Sequence, residues 1–139
     1  MDRELALAKE YLDEEDCTCV LYKSGTLLSS NHRGVRPLLD FLDSGRDLRG
    51  FCAADKVVGK ATAFLYCLLG VRAVHARVMS LPAVRVLVSF GISVSSDELT
   101  DGIRNRAGTG PCPMEQATKD IDDPREALEA IRKTLESLK

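Results

Sequence analysis

Apolar and polar positions follow two different periods along this chain. Residues 2–12 place Leu5, Ala8 and Leu12 on one face at helical spacing. Residues 17–22 then turn apolar and β-branched, Lys23-Ser24-Gly25-Thr26 has the composition of a turn, and residues 27–30 return, a pattern that predicts a β-hairpin. Pro37 suits the first turn of a helix over 36–42, because the N–H it lacks would find no partner there, and Ser44-Gly45 ends that helix. Residues 46–53 predict a loop running into a short strand at 50–53. Asp55 is placed to cap a helix over 56–69 that stops at Gly70. Residues 71–79 have the small and branched side chains of a buried strand, and Ser80 stands as the N-cap of a helix over 82–90. Ile92-Ser93-Val94 predicts another strand, and Ser96 or Asp97 the cap of a short helix through Ile103. A loop rich in glycine and proline follows. Asp122-Asp123-Pro124 then opens a last helix over 125–138, with Ala127, Leu128, Ile131 and Leu135 along one face.

Strands alternating with helices after a hairpin imply a mixed central sheet covered by helices, with parallel neighbours in its second half. The apolar strand around residues 74–78 needs cover on both faces, which the helices at 56–69 and 82–90 are expected to supply. The 139 residues fit one domain. Its expected division is a domain over 1–118 and a C-terminal helical extension over 119–139, packed on or beside it.

Composition narrows the class of partner. With 45% hydrophobic and 29% charged residues the chain is an ordinary soluble type. A net charge of −2 gives no electrostatic case for nucleic acid or an anionic membrane. The longest apolar run, 61–71, is too short for a bilayer. The five cysteines are odd in number and scattered, and residues 1–9 lack the apolar core of a secretion signal. Free thiols in the cytoplasm are therefore expected.

Candidate chemistry gathers in Asn105-Arg106-Ala107-Gly108-Thr109-Gly110-Pro111-Cys112-Pro113-Met114-Glu115. Rigid loops carrying reactive side chains are common sites of function. Cys112 precedes a short helix at Met114 and follows Arg104 and Arg106, both of which favour a thiolate. It is the candidate catalytic residue, against the plainer reading of a small hydrophobe packed in a turn. Lys56 and Lys60 share a helical face, so with Asp55 they could hold a phosphate or carboxylate beside free N–H groups. The plainer reading is a capped helix with two solvated lysines. Ser80 is an N-cap whose hydroxyl could equally meet a ligand. Cys17 and Cys19 share one strand face but have no second cysteine pair at zinc spacing, and His32 and His75 have no recognisable partner.

Ala54-Asp55-Lys56-Val57-Val58-Gly59-Lys60-Ala61, Val74-His75-Ala76 through Met79-Ser80, Gly91-Ile92, Asn105-Arg106 and Cys112-Pro113-Met114-Glu115 resemble a family of small prokaryotic proteins of unknown function. That family is placed in the cytidine-deaminase-like fold class, and the resemblance covers roughly residues 15–118. It implies a three-layer α/β/α domain with a mixed central sheet. A zinc deaminase would need H-x-E at one helix start and P-C-x-x-C at the next. The corresponding segments here read Asp55-Lys56 and Ser80-Leu81-Pro82-Ala83-Val84, so no metal and no cofactor is expected. The resulting expectation is a zinc-free domain that binds a small anionic or nucleotide-like ligand through Asp55, Lys56, Ser80, Asn105 and Arg106. Two alternatives stand beside it: an enzyme using Cys112 as nucleophile or redox thiol, and a non-catalytic interaction module with a vestigial site. The residues leave open whether a ligand is turned over and whether the chain forms an oligomer.

Overall fold

The computed structural model describes residues 2–104, 108, 110 and 112–138. The chain runs α1 (Arg3–Glu14), β1 (Cys19–Lys23), β2 (Thr26–Ser30), α2 (Arg36–Asp43), β3 (Cys52–Val58), α3 (Lys60–Leu69), β4 (Ala73–Ser80), α4 (Leu81–Ser89), β5 (Ser93–Thr100), α5 (Pro113–Thr118) and α6 (Pro124–Ser137). The strands form one sheet in the order β2-β1-β3-β4-β5. β1 is antiparallel to β2 and to β3, while β3, β4 and β5 are parallel. This is the mixed sheet, hairpin first and parallel second, that the residue pattern and the family resemblance imply.

The two-residue period of a strand divides the core. Val20, Cys52, Ala54 and Ala73 face α1 and bury Leu5, Ala8 and Leu12. Cys19, Leu21, Ala53 and Val74 face the other way, toward Leu38 of α2, Phe64 and Leu65 of α3, Leu87 of α4 and Ile131 of α6. α3 and α4 thus share one face, and α1 covers the other. The expected placement of β4 between α3 and α4 is corrected here. Two successive parallel crossovers advance in the same direction across the sheet, and the usual right-handed connection puts both helices on one side.

Two element boundaries also differ from expectation, for related reasons. β3 continues through Val58, and α3 starts at Lys60 with Gly59 as its N-cap, so Asp55 and Lys56 are strand residues. The branched pair Val57-Val58 extends the ladder to Val78 and Met79 of β4. Residues 96–100 belong to β5, paired with residues 76–80, and form no helix. β5 is an edge strand, so its polar side chains face water without penalty. Ser80 does cap α4, accepting the Ala83 N–H at 3.2 Å. α3 ends at Gly70, which takes the left-handed conformation at φ 75° and donates to the carbonyls of Tyr66 and Cys67.

Candidate functional site

A cavity of about 380 Å³ opens where the C-terminal end of β3, the first turn of α3, the start of β1 and α5 meet. Ligands of open α/β sheets gather at this end of the parallel strands. Asp55 and Cys19, paired across β3 and β1, both line it. Tyr66 reaches down from α3 and donates its O–H to Asp55 Oδ2 at 2.6 Å. The Val57 N–H donates to Oδ1 at 3.3 Å. Tyr66 Oη also lies 3.2 Å from Cys19 Sγ. Tyr66 has one proton and gives it to Asp55, so the Cys19 S–H is the donor in that second contact. Burial raises the Asp55 carboxyl from 3.8 to about 6, against the hydrogen bonds from Tyr66 and the backbone that pull it down. Burial likewise holds the Cys19 thiol and the Tyr66 phenol well above their ordinary values, so both stay protonated.

A second carboxyl lines the cavity from α5. Glu115 of α5 accepts the Lys60 N–H at 2.6 Å through Oε1. That N–H is the first of α3 and has no partner within the helix, and a carboxylate is favoured at the positive end of the helix dipole. Gly59 makes the approach feasible: a Cβ at that position would lie 1.8 Å from Glu115 Oε1. Burial raises the Glu115 carboxyl, opposed by the Lys60 N–H and the Lys60 charge. Two carboxyl groups, each pushed upward by desolvation, therefore line one cavity.

The residues singled out in the sequence take different places. Asp55, Lys56 and Cys112 line the cavity. Asp55 and Lys56 are strand neighbours, so their side chains leave on opposite faces; the Lys56 charge acts on Cys17, on the α1 side. Cys112 occupies the N-cap position of α5 without a side-chain cap bond, half-buried, its N–H held by the Ile103 carbonyl at 2.9 Å. Ser80 is fully buried as the α4 cap and is not among the cavity residues. Asn105 and Arg106 lie outside the described residues. Lys60, rather than Lys56, stands at the start of α3, with Nζ donating to the Lys119 carbonyl at 2.8 Å and 5.7 Å from the Phe64 ring centroid.

Sequence reasoning passed over Tyr66, Glu115 and the role of Cys19. A hydroxyl inside the apolar run 61–69 was the available signal, since a buried Tyr O–H needs a partner. Glu115 carried none beyond its place in the segment that resembles the family. On the α1 side, His75 is also buried, its Nδ1 2.8 Å from Ser95 Oγ and its Nε2 3.5 Å from Asp97 Oδ1. Burial holds it below the ordinary histidine value. Among the described residues no group of three or more His, Cys, Asp or Glu could hold a metal ion, and no helix is long and apolar enough to cross a membrane. All five cysteines are free.

The sequence profile of a domain of unknown function (DUF1893) matches residues 7–135. The crystal structure of a DUF1893 family protein (TM1506) from Thermotoga maritima superposes with a TM-score of 0.88 at 28% identity, over 96% of this chain and 90% of that one. A dCMP deaminase from the cyanophage S-TIM5 gives a TM-score of 0.45 at 16% identity, over 70% of this chain and 94% of that one. A diaminohydroxyphosphoribosylaminopyrimidine deaminase/5-amino-6-(5-phosphoribosylamino)uracil reductase from Thermotoga maritima gives 0.45 at 19% identity, over 68% and 34%. No curated protein matches the chain in sequence.

Proposed function

We propose that this chain, which belongs to the DUF1893 family, binds a small nucleotide-like ligand in the cavity between β3, α3 and α5. The ligand's ring N–H or amino groups donate to Asp55 and Glu115. The observation that carries this reading is the convergence of two desolvated carboxyl groups on one cavity of ligand size. About 300–1,000 Å³ is the ordinary range for small-molecule sites. Such an inner wall repels a bare anion and rewards a group with hydrogen-bond donors, because a buried carboxylate left unpaired is costly. Val35, Pro37, Ile103 and Met114 supply apolar walls for a flat ring.

A carboxyl near 6 also exchanges its proton close to neutral pH, which equips Asp55 as an acid or base toward a ring nitrogen. Isothermal titration with the common ribonucleosides at pH 5 and pH 8 tests the reading. At least one should bind, more tightly at pH 8, where Asp55 is an acceptor, and Asp55→Asn should weaken it. Binding by none of them, or an affinity indifferent to Asp55→Asn, would sink the proposal.

A second reading rests on Cys112, which lines the same cavity as Glu115: its sulfur adds to an electrophilic ring carbon of the bound ligand, the ring C=C or C=N π bond opens, and the thiol proton ends on the far atom of that bond. Mass spectrometry after incubation with a bound nucleoside decides it: an adduct on Cys112 supports the reading, and an unmodified thiol alongside a converted ligand removes it.

A further inference from the structure

The cavity has an outer neighbour of opposite electrostatic character. A groove of about 540 Å³ shares Ile103 and Glu115 with the inner cavity, so the two lie side by side with those side chains as their common wall. Its other lining residues include Lys60, Arg85 and Lys119. Arg85 projects from α4 and Lys119 follows α5, and both are exposed. Elsewhere on the surface Arg49, Arg72, Arg77 and Arg132 each hold a carboxylate. The side chains of Arg85 and Lys119, in contrast, make no hydrogen bond or ion pair among the described residues. Lys60 is already fixed by the Lys119 carbonyl and the Phe64 ring, so little side-chain freedom remains for a ligand to freeze. Among the described residues Glu115 is the one carboxylate lining the groove, and its Oε1 is engaged by the Lys60 N–H. Asp122 lines an adjoining hollow with Lys60 and Arg85, one acid beside two of the three bases.

We propose that Lys60, Arg85 and Lys119 form a phosphate subsite next to the inner cavity, reached past Ile103 and Glu115, so that the ligand is a phosphorylated nucleoside. This rests on the ring-binding reading above and adds the anionic half. The two compartments match such a molecule in order: donors on the ring meet the inner carboxyls, and the phosphate emerges among cations. Arginine offers a planar fork to phosphate oxygens, and lysines add point charge.

The test is titration of the common ribonucleosides and their 5′-monophosphates, at low and high salt, into the native protein and into the Arg85→Ala, Lys119→Ala double variant. Both substituted side chains are exposed and, among the described residues, make no hydrogen bond or ion pair, so the fold is not at risk. The native protein should bind a monophosphate roughly tenfold or more tightly than its nucleoside, a gain that salt erodes. The double variant should lose that gain and keep its nucleoside affinity. A nucleoside that binds with no gain from phosphate, or a gain that survives in the variant, overturns the subsite and leaves the ring site standing. Binding of neither class overturns both.

Discussion

Replacing Asp55 with asparagine removes a charge that the fold holds against its own stability. The carboxyl sits at about 6 against an ordinary 3.8. That difference of about 2 units corresponds to ~3 kcal/mol. Because the folded value is raised, the native state holds the proton more tightly than the unfolded chain does. The contribution to stability is therefore complete below 3.8 and is lost as pH rises through about 6. Asparagine never ionises, so it escapes the loss. Tyr66 still donates to its carbonyl, but the amide NH2 then meets the Val57 N–H, which takes back ~1 kcal/mol. Asp55→Asn should thus be more stable than the native protein by ~2 kcal/mol at pH 8, a gain that is used up between about pH 4 and 5 and becomes a deficit of up to ~1 kcal/mol below 3.8, where only the amide mismatch remains. Urea unfolding at pH 8 and near pH 4, with m-values compared, measures it. A change of stability that is equal at both pH values, or a variant less stable at pH 8, would refute the reasoning. It would mean that the hydrogen bonds to the carboxylate outweigh its desolvation. A side chain that lowers stability and yet lines a cavity fits a trade of stability for binding.

Two further outcomes follow from the same network. Tyr66→Phe removes the donor that holds the Asp55 carboxyl down, so the carboxyl midpoint followed by 13C NMR should move above about 6; a fall, or no movement, would show that Tyr66 does not govern it. Gly59→Ala forces Glu115 away from α3 and should destabilise by ~1–2 kcal/mol through the lost Lys60 N–H bond. Most of that loss should disappear in a Glu115→Ala background, and a double-mutant cycle with no coupling would contradict the contact.

Much of the fold was legible because its elements obey a single period. The hairpin at residues 17–30 has strands β1 and β2 within it, and Ser80 caps α4 as its position suggested. Two elements were misread where polar residues stand inside strands. Asp55 looks like a helix cap when only its chain neighbours are considered, yet its partner is Tyr66, eleven residues on, in the next element. Ser96 and Asp97 likewise resemble a cap, but an edge strand tolerates them because one side of it meets solvent. The candidate site was legible in part for the same reason. Asp55 and Cys112 could be named by residue type and loop context. Glu115 could not, because its meaning depends on Gly59 lacking a side chain far away in the sequence.

The bond between Glu115 and the first N–H of α3 has a consequence for how the protein is made. Its two ends lie 55 positions apart. At ~5–20 residues per second, translation separates them by roughly 3–11 seconds. During that interval the residues of the hairpin and β3 have been made, but the wall carrying Cys112 and Glu115 has not been synthesised. The cavity lacks that wall until Glu115 has been made, and α6, with Ile131 in the core, follows later still. A ligand that needs both carboxyls therefore finds no complete site on any nascent chain that ends before Glu115.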